Sequence, residues 1–268
     1  MANILVFDSG VGGLSIAAAI DEFLPQHRLV FASDNAAYPY GTKSVEELVP
    51  RVVAVIEKLL SKITIDIVIV ACNTASTVAL PELRQRLSVE VVGVVPAIKP
   101  AVKASQTKSL GVLATPATVK RQYTQNLLDD FAEGCKVDLL GSSDLVDIAE
   151  RKLHDGKVDV DLLKSIVEPW FDSDCTIDTI VLACTHFSLL KIELDEIFKQ
   201  HNKIVQLIDS AEGIARRVRF LLAKNAEDNT QLNLLNNRVV FTAKQTISDA
   251  FQRYLDDLNI VDIQFLNV

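Results

Sequence analysis

No apolar run in the 268-residue chain approaches the ~20 residues that a membrane-spanning helix needs. The first apolar run, residues 4–7, is too short for a signal segment and gives way at once to Asp8 and glycines. No export signal is therefore read, and a cytoplasmic location is expected. A basic excess is missing too. The 27 Lys and Arg stand against 35 Asp and Glu, a net charge of -8, which excludes a general nucleic-acid binder. Cysteine is scarce: Cys72, Cys135, Cys175 and Cys184 include no CxxC pair, which disfavours a thiol oxidoreductase or a zinc motif. In a reducing compartment such thiols stay free. There is no low-complexity linker either, so closely packed domains are expected and not a flexible tandem. With 49% hydrophobic and 23% charged residues, the chain has the makings of one large or two modest globular domains. A chain of this length buries enough surface to need no disulfide or metal staple.

What the sequence does contain is one stretch written twice. Residues 65–74 run Ile-Asp-Ile-Val-Ile-Val-Ala-Cys-Asn-Thr, and residues 177–186 run Ile-Asp-Thr-Ile-Val-Leu-Ala-Cys-Thr-His. Each copy is an apolar, β-branched run ending in Ala-Cys and then turning polar. That pattern predicts a buried parallel strand presenting a thiol, Cys72 or Cys184, at its carboxyl end. Ligands of open α/β sheets collect at that end of the strands. Two such ends imply one site built from two similar halves.

The remaining elements alternate in the α/β manner. Strands are predicted at 4–7, 29–32, 90–95, 110–114, 136–140, 204–208, 239–242 and 261–265. Helices are predicted at 14–23, 44–61, 145–153, 160–171 and 248–258, with another from about 211 to 223. Residues 225–231 read as a polar loop. The helix after Cys72 contains Pro81, which is best accommodated near a first turn. Its start favours a Cys72 thiolate through the helix dipole, with Thr74 and Ser76 as capping candidates. Asp8-Ser9-Gly10-Val11-Gly12-Gly13 forms a glycine-rich turn into a helix, whose amides suit an anion. Ser15 stands where a dinucleotide fingerprint has its third glycine, so a carboxylate is as plausible a guest as a phosphate. Asp8 would repel an anion, which points to an ammonium or a proton transfer, with a helix cap as the plainer role. Thr115 and Thr118 echo this turn at the next strand, where caps are again the plainer role. The Asp8-to-Cys72 interval resembles that from Thr115 to Cys184, as a duplicated architecture would. On its local pattern Glu150 is a solvated helix residue, and Arg216, Arg217 and Arg219 form a solvated face.

Two facing thiols suit a particular chemistry. No local cluster supplies three or four metal ligands. Covalent catalysis needs one thiol and a histidine such as His186, leaving the second copy unexplained. A pair of acid–bases fits inversion of a carbon centre, one removing a proton from one face while the other supplies one opposite. Deprotonation beside a carboxylate without a cofactor needs a dry site with donors for the enediolate, and Ser9, Asn73, Thr74 and Thr185 are placed to provide them.

The stretches 8–13, Pro39-Tyr40-Gly41, Cys72-Asn73-Thr74-Ala75-Ser76 and Cys184-Thr185-His186-Phe187 together resemble the glutamate racemases of the Asp/Glu racemase family, in order over nearly the whole chain. The resemblance implies interconversion of L- and D-glutamate with no cofactor and no metal, supplying D-glutamate for peptidoglycan. It implies two similar doubly wound α/β domains with the site in the cleft between them, at 1–97 plus 209–268 and at 98–208. Cys72 would act on D-glutamate and Cys184 on L-glutamate, assisted by Asp8 and His186. Substrate contacts would come from Asp8, Ser9, Tyr40, Gly41, Asn73, Thr74, Thr185 and His186, with Asp34, Glu150, Thr115 and Thr118 as further candidates. Ala183 and Ser188 depart from the commoner family pattern, as do the Asp34-Asn35 segment and Tyr38. With only three residues before the first strand, control through an N-terminal extension is not expected. The oligomeric state is open, a homodimer included. An aspartate or other amino-acid racemase is the alternative within the superfamily. A non-catalytic small-molecule binding protein is the alternative outside it, although it would not require two thiols at strand ends.

Overall fold

The computed structural model describes residues 1–223 and 236–268. The predicted loop at 225–231 lies outside the described residues. In chain order the first elements are β1 (Asn3–Asp8), α1 (Leu14–Phe23), β2 (Arg28–Ser33), α2 (Val45–Leu60), β3 (Ile67–Val70), α3 (Asn73–Arg86) and β4 (Glu90–Gly93). Then come α4 (Ile98–Ala104), β5 (Ser109–Ala114), α5 (Pro116–Lys120), α6 (Gln122–Phe131), β6 (Lys136–Gly141), α7 (Asp144–Asp155) and α8 (Val160–Val167). The chain closes with β7 (Thr179–Leu182), α9 (Thr185–Ser188), α10 (Lys191–Gln200), β8 (Gln206–Ile208), α11 (Ala211–Ala223), β9 (Asn237–Phe241), α12 (Asp249–Asp257) and β10 (Ile260–Phe265).

These strands form two parallel sheets. One has the order β10-β9-β2-β1-β3-β4 and the other β6-β5-β7-β8. The run β2-β1-β3-β4 therefore has its counterpart in β6-β5-β7-β8. In each, the chain leaves the first strand to one side and returns on the other, which opens a crevice at the carboxyl ends of the central pair. The correspondence extends to single bonds. Ala71 N–H donates to the Phe7 carbonyl at 2.7 Å, and Ala183 N–H to the Leu113 carbonyl at 2.8 Å. The doubled stretch thus occupies the same station in both sheets.

The strands are apolar because both faces are covered. In β1, Leu5 and Phe7 pack with α2 and α3 residues such as Val52 and Leu83, while Ile4 and Val6 face α1 and α11. The second of these clusters runs on through Leu113, Ile148 and Phe187, so one core joins the two sheets. Ser44 starts α2 with a reciprocal capping box to Glu47, as its spacing predicts.

Some expectations are revised. Pro81 lies in the middle of α3 and not near its first turn; it occupies the exposed side, where one lost helix bond costs least. Ser76 caps nothing: its hydroxyl donates to the Val70 carbonyl and accepts from Val94 N–H, lacing α3 to β3 and β4. The predicted strand at 204–208 starts later, at Gln206, and Ile204 is left 92% exposed. The helix predicted at 160–171 ends at Val167, and a tighter turn (Glu168–Trp170) carries Pro169. Among the described residues no helix is long and apolar enough to cross a membrane.

Candidate active site

The carboxyl ends of β1, β3, β5 and β7 surround a cavity of about 360 Å3. From the first sheet it is lined by Ser9, Tyr40, Gly41, Cys72, Asn73 and Thr74, and from the second by Thr115, Thr118, Cys184, Thr185 and His186. The thiols are nearly sealed, Cys72 at 7% exposure and Cys184 at 8%. Cys135 and Cys175 are half-buried elsewhere, and all four cysteines are free.

Behind each thiol stands one hydrogen-bonding side chain and then one carboxylate. Cys72 Sγ lies 3.7 Å from Ser9 Oγ, which donates to Asp8 Oδ1 at 3.2 Å. Cys184 Sγ lies 3.9 Å from His186 Nδ1, whose Nε2 is 2.7 Å from Glu150 Oε1. Each carboxylate is also held by the opposite half. Thr185 Oγ1 donates to Asp8 Oδ2 at 2.9 Å, and Val11 N–H donates to Glu150 Oε1 at 3.0 Å. The glycine turn therefore does receive a carboxylate, and the guest is the protein's own Glu150. Its glycines serve close approach: a Cβ at Gly10 would lie 2.3 Å from Glu150 Oε1, and one at Gly12 would lie 2.4 Å from His186 Nδ1. Ser15, at the third fingerprint position, donates across the junction to the Thr185 carbonyl at 3.1 Å. Glu150 is accordingly not a solvated helix residue; its side chain is only 18% exposed.

The other candidates are placed as follows. Asp8 is fully buried beneath Ser9 and caps no helix; Gly13 occupies the N-cap of α1. Asp34 is also fully buried, gripped by Arg51 Nε and Nη2 at 2.9 and 2.6 Å, Tyr40 Oη at 2.6 Å and Thr242 Oγ1 at 2.6 Å. It holds the hydroxyl of Tyr40, a residue that lines the cavity. Thr115 caps α5 through Thr118 N–H, and the two hydroxyls are 3.0 Å apart. Asn73 Oδ1 is buried without a protein partner. Among the described residues no group of three or more His, Cys, Asp or Glu is arranged to hold a metal ion.

Burial controls the titration of this site. It pushes the Cys72 thiol up to about 12, with the charge of Asp8 adding to it, and outweighs the Ala75 N–H bond that the start of α3 offers. The dipole-stabilised thiolate expected from the sequence is thus overridden. Burial likewise raises Asp8, against the charge of His186 and the bonds from Gly10 and Thr185. Burial disfavours a charged His186, but its bonds to Cys184 and Glu150 prevail and raise it well above the usual value. Burial also opposes ionisation of Glu150, yet hydrogen bonds from His154 and His186 hold it at about 2. A carboxyl depressed from 4.5 to about 2 adds stability above pH 4.5 that is lost as pH falls through about 2. Asp8, being raised, contributes with the opposite sign. The melting temperature is therefore expected to fall across that acid window by less in Glu150→Gln than in the wild type; equal slopes would contradict the bonding.

Several neighbours escaped the sequence reading. Arg121, between α5 and α6, donates through Nη1 to the Thr74 carbonyl at 2.6 Å and to Thr77 Oγ1, tying the second half to the start of α3. Asp147 also lines the cavity, as does Tyr38, which the sequence marked only as a departure from the family pattern. Nothing local marks Arg121 or Asp147. His154 was legible only through its four-residue spacing from Glu150.

Residues 14–218 match the model of the Asp/Glu/Hydantoin racemase family. A glutamate racemase of Aliivibrio fischeri is 47% identical over 264 residues, 98% of this chain and 97% of that relative. One from Photorhabdus laumondii is 51% identical over 220 residues, 82% of this chain and 76% of that relative. Among solved structures, Escherichia coli glutamate racemase in complex with L-glutamate and the activator UDP-MurNAc-Ala matches with a TM-score of 0.91 at 41% identity, covering 100% of this chain and 98% of that one.

Proposed function

The chain belongs to the Asp/Glu/hydantoin racemase family, among its glutamate racemases, and from that premise we propose that Cys72 and Cys184 interconvert L- and D-glutamate as acid–bases on opposite faces of the α-carbon. The observation that carries this reading is the pair of thiols in one cavity, at equivalent strand ends, each backed by its own relay to a carboxylate. In the L-to-D direction, the Glu150 carboxylate accepts from His186 Nε2–H, which leaves Nδ1 to take the Cys184 proton. The resulting thiolate removes the hydrogen from Cα. Cys72, kept protonated by burial, delivers its own proton to the other face. The D-to-L direction starts from the reversed state, with Ser9 and Asp8 serving Cys72. Amides and hydroxyls at Asn73, Thr74 and Thr185 are placed for the enediolate, and the unpartnered Asn73 oxygen suits the substrate ammonium.

The domain division follows the same reading: 1–97 with 209–268 as one unit and 98–208 as the other, supported by the pairing of β9 with β2. The product serves peptidoglycan synthesis. The free cysteines fit a reducing cytoplasm.

The test is solvent deuterium incorporation at Cα of L- and D-glutamate without added cofactor. Incorporation from both enantiomers is expected. Exchange of aspartate with none of glutamate would move the assignment to the aspartate branch.

A further inference from the structure

His154 takes no part in the mechanism just described, yet it stands one residue beyond it. It lies four positions after Glu150 on α7, so both side chains leave the same face. Its Nε2 is 3.4 Å from Glu150 Oε2. The other carboxylate oxygen, Oε1, already carries both the His186 and the Val11 bonds. His154 thus engages the second oxygen, and two-point attachment fixes the rotation of the carboxylate about its last bond. The histidine is itself held: its ring meets Phe251 edge-on at 4.7 Å, and its carbonyl accepts from the Ser248 hydroxyl that caps α12. The Cys72 relay runs separately through Ser9 to Asp8.

We propose that His154 is a positioning residue for the Cys184 half of the reaction, holding the Glu150 carboxylate in the orientation that sets His186 against the thiol. The proposal rests on the two-thiol reading. It differs from a structural role in predicting an asymmetry. The enantiomers have equal free energy in water, so kcat/KM is equal in both directions for any variant. Which proton transfer limits the rate is not so constrained. Weakening the Cys184 relay raises the barrier for transfer between Cα and Cys184 and leaves the Cys72 transfer unchanged.

The experiment measures primary deuterium isotope effects on kcat/KM with α-deuterated L- and D-glutamate. For His154→Leu, kcat/KM is expected to fall about tenfold, the loss of one charge-assisted bond. The isotope effect should rise with the L substrate and fall toward unity with the D substrate. His154→Gln, which keeps an N–H for Oε2, should recover most of the rate and the symmetry. Asp256→Ala, on the exposed side of α12 where its carboxylate accepts from Gln252, should leave the isotope effects unchanged. Where His154→Leu fails to fold, His154→Asn, too short to reach Glu150, carries the same test. Equal isotope effects in a slowed variant, or an unaltered rate, overturn the proposal. If neither enantiomer exchanges its α-hydrogen in the wild type, the two-thiol reading fails first, and this proposal with it.

Discussion

Replacing either Cys72 or Cys184 with serine is expected to cut kcat/KM for racemisation by at least about 10³-fold, in both directions at once. A hydroxyl is far too weak an acid to supply the anion that removes an α-hydrogen, and it holds its proton too tightly to replace a thiol as donor. The loss is shared because a racemase has an equilibrium constant of one. A variant that abolished L-to-D turnover while sparing D-to-L would violate the energy balance. What each variant keeps distinguishes the thiols: Cys72→Ser retains the His186 and Glu150 relay, on the side proposed for L-glutamate, and Cys184→Ser retains Ser9 and Asp8, on the side proposed for D-glutamate. Serine at both positions should cost little more than serine at one, since inversion needs both groups. Racemisation at a tenth of the wild-type rate in either single variant would defeat the mechanism. The assay is polarimetry or chiral chromatography on each pure enantiomer.

The second large effect is expected at Gly12. An added Cβ there would lie 2.4 Å from His186 Nδ1 and 2.7 Å from Thr185 Oγ1. Neither neighbour is free to withdraw: His186 is 3% exposed and bonded to Glu150, and Thr185 is bonded to Asp8. Gly12→Ala should displace the imidazole by a fraction of an ångström, enough to lower kcat/KM by about 10²-fold. Overpacking should cost about 1–3 kcal/mol of stability in a denaturant titration. The control is Gly213→Ala on the exposed side of α11, where nothing lies within 4 Å of the added carbon. That change should leave the rate alone and stabilise the helix by up to about 1 kcal/mol. Equal activity in both variants would show that the Gly12 contact does not govern His186.

The contrast between these glycines marks how far the sequence carries. Strands β3 and β7 were legible because a strand buried on both faces must be apolar throughout, and each announces its end with the same Ala-Cys. Cys72, Cys184 and His186 could be assigned to one site from those ends. Glu150 could not be placed from its surroundings: its bond to Val11 spans 139 residues, and α7 shows only an ordinary amphipathic pattern there. The glycine turn was read as a place for an anionic guest, but the carboxylate it meets is the protein's own Glu150, and the close approach that demands Gly10 and Gly12 comes from side chains of the other half. The Cys72 thiol went astray for a related reason. A dipole is a local property, whereas the burial that overrides it belongs to the assembled cavity. Asp34 was picked out among acidic positions, yet its engagement by Arg51, Tyr40 and Thr242 depends on three segments meeting.

The order of strands also governs what emerges first from the ribosome. The sheet bearing Cys184 has all four of its strands once Ile208 has been made, whereas β2 waits for β9 and β10, which lie between Asn237 and Phe265. Until those last residues appear, the half bearing Cys72 presents an open parallel edge. The half bearing Cys72 is therefore expected to be completed after the half bearing Cys184, although its own thiol is made first, and the cavity the two thiols share forms only once β9 has paired with β2.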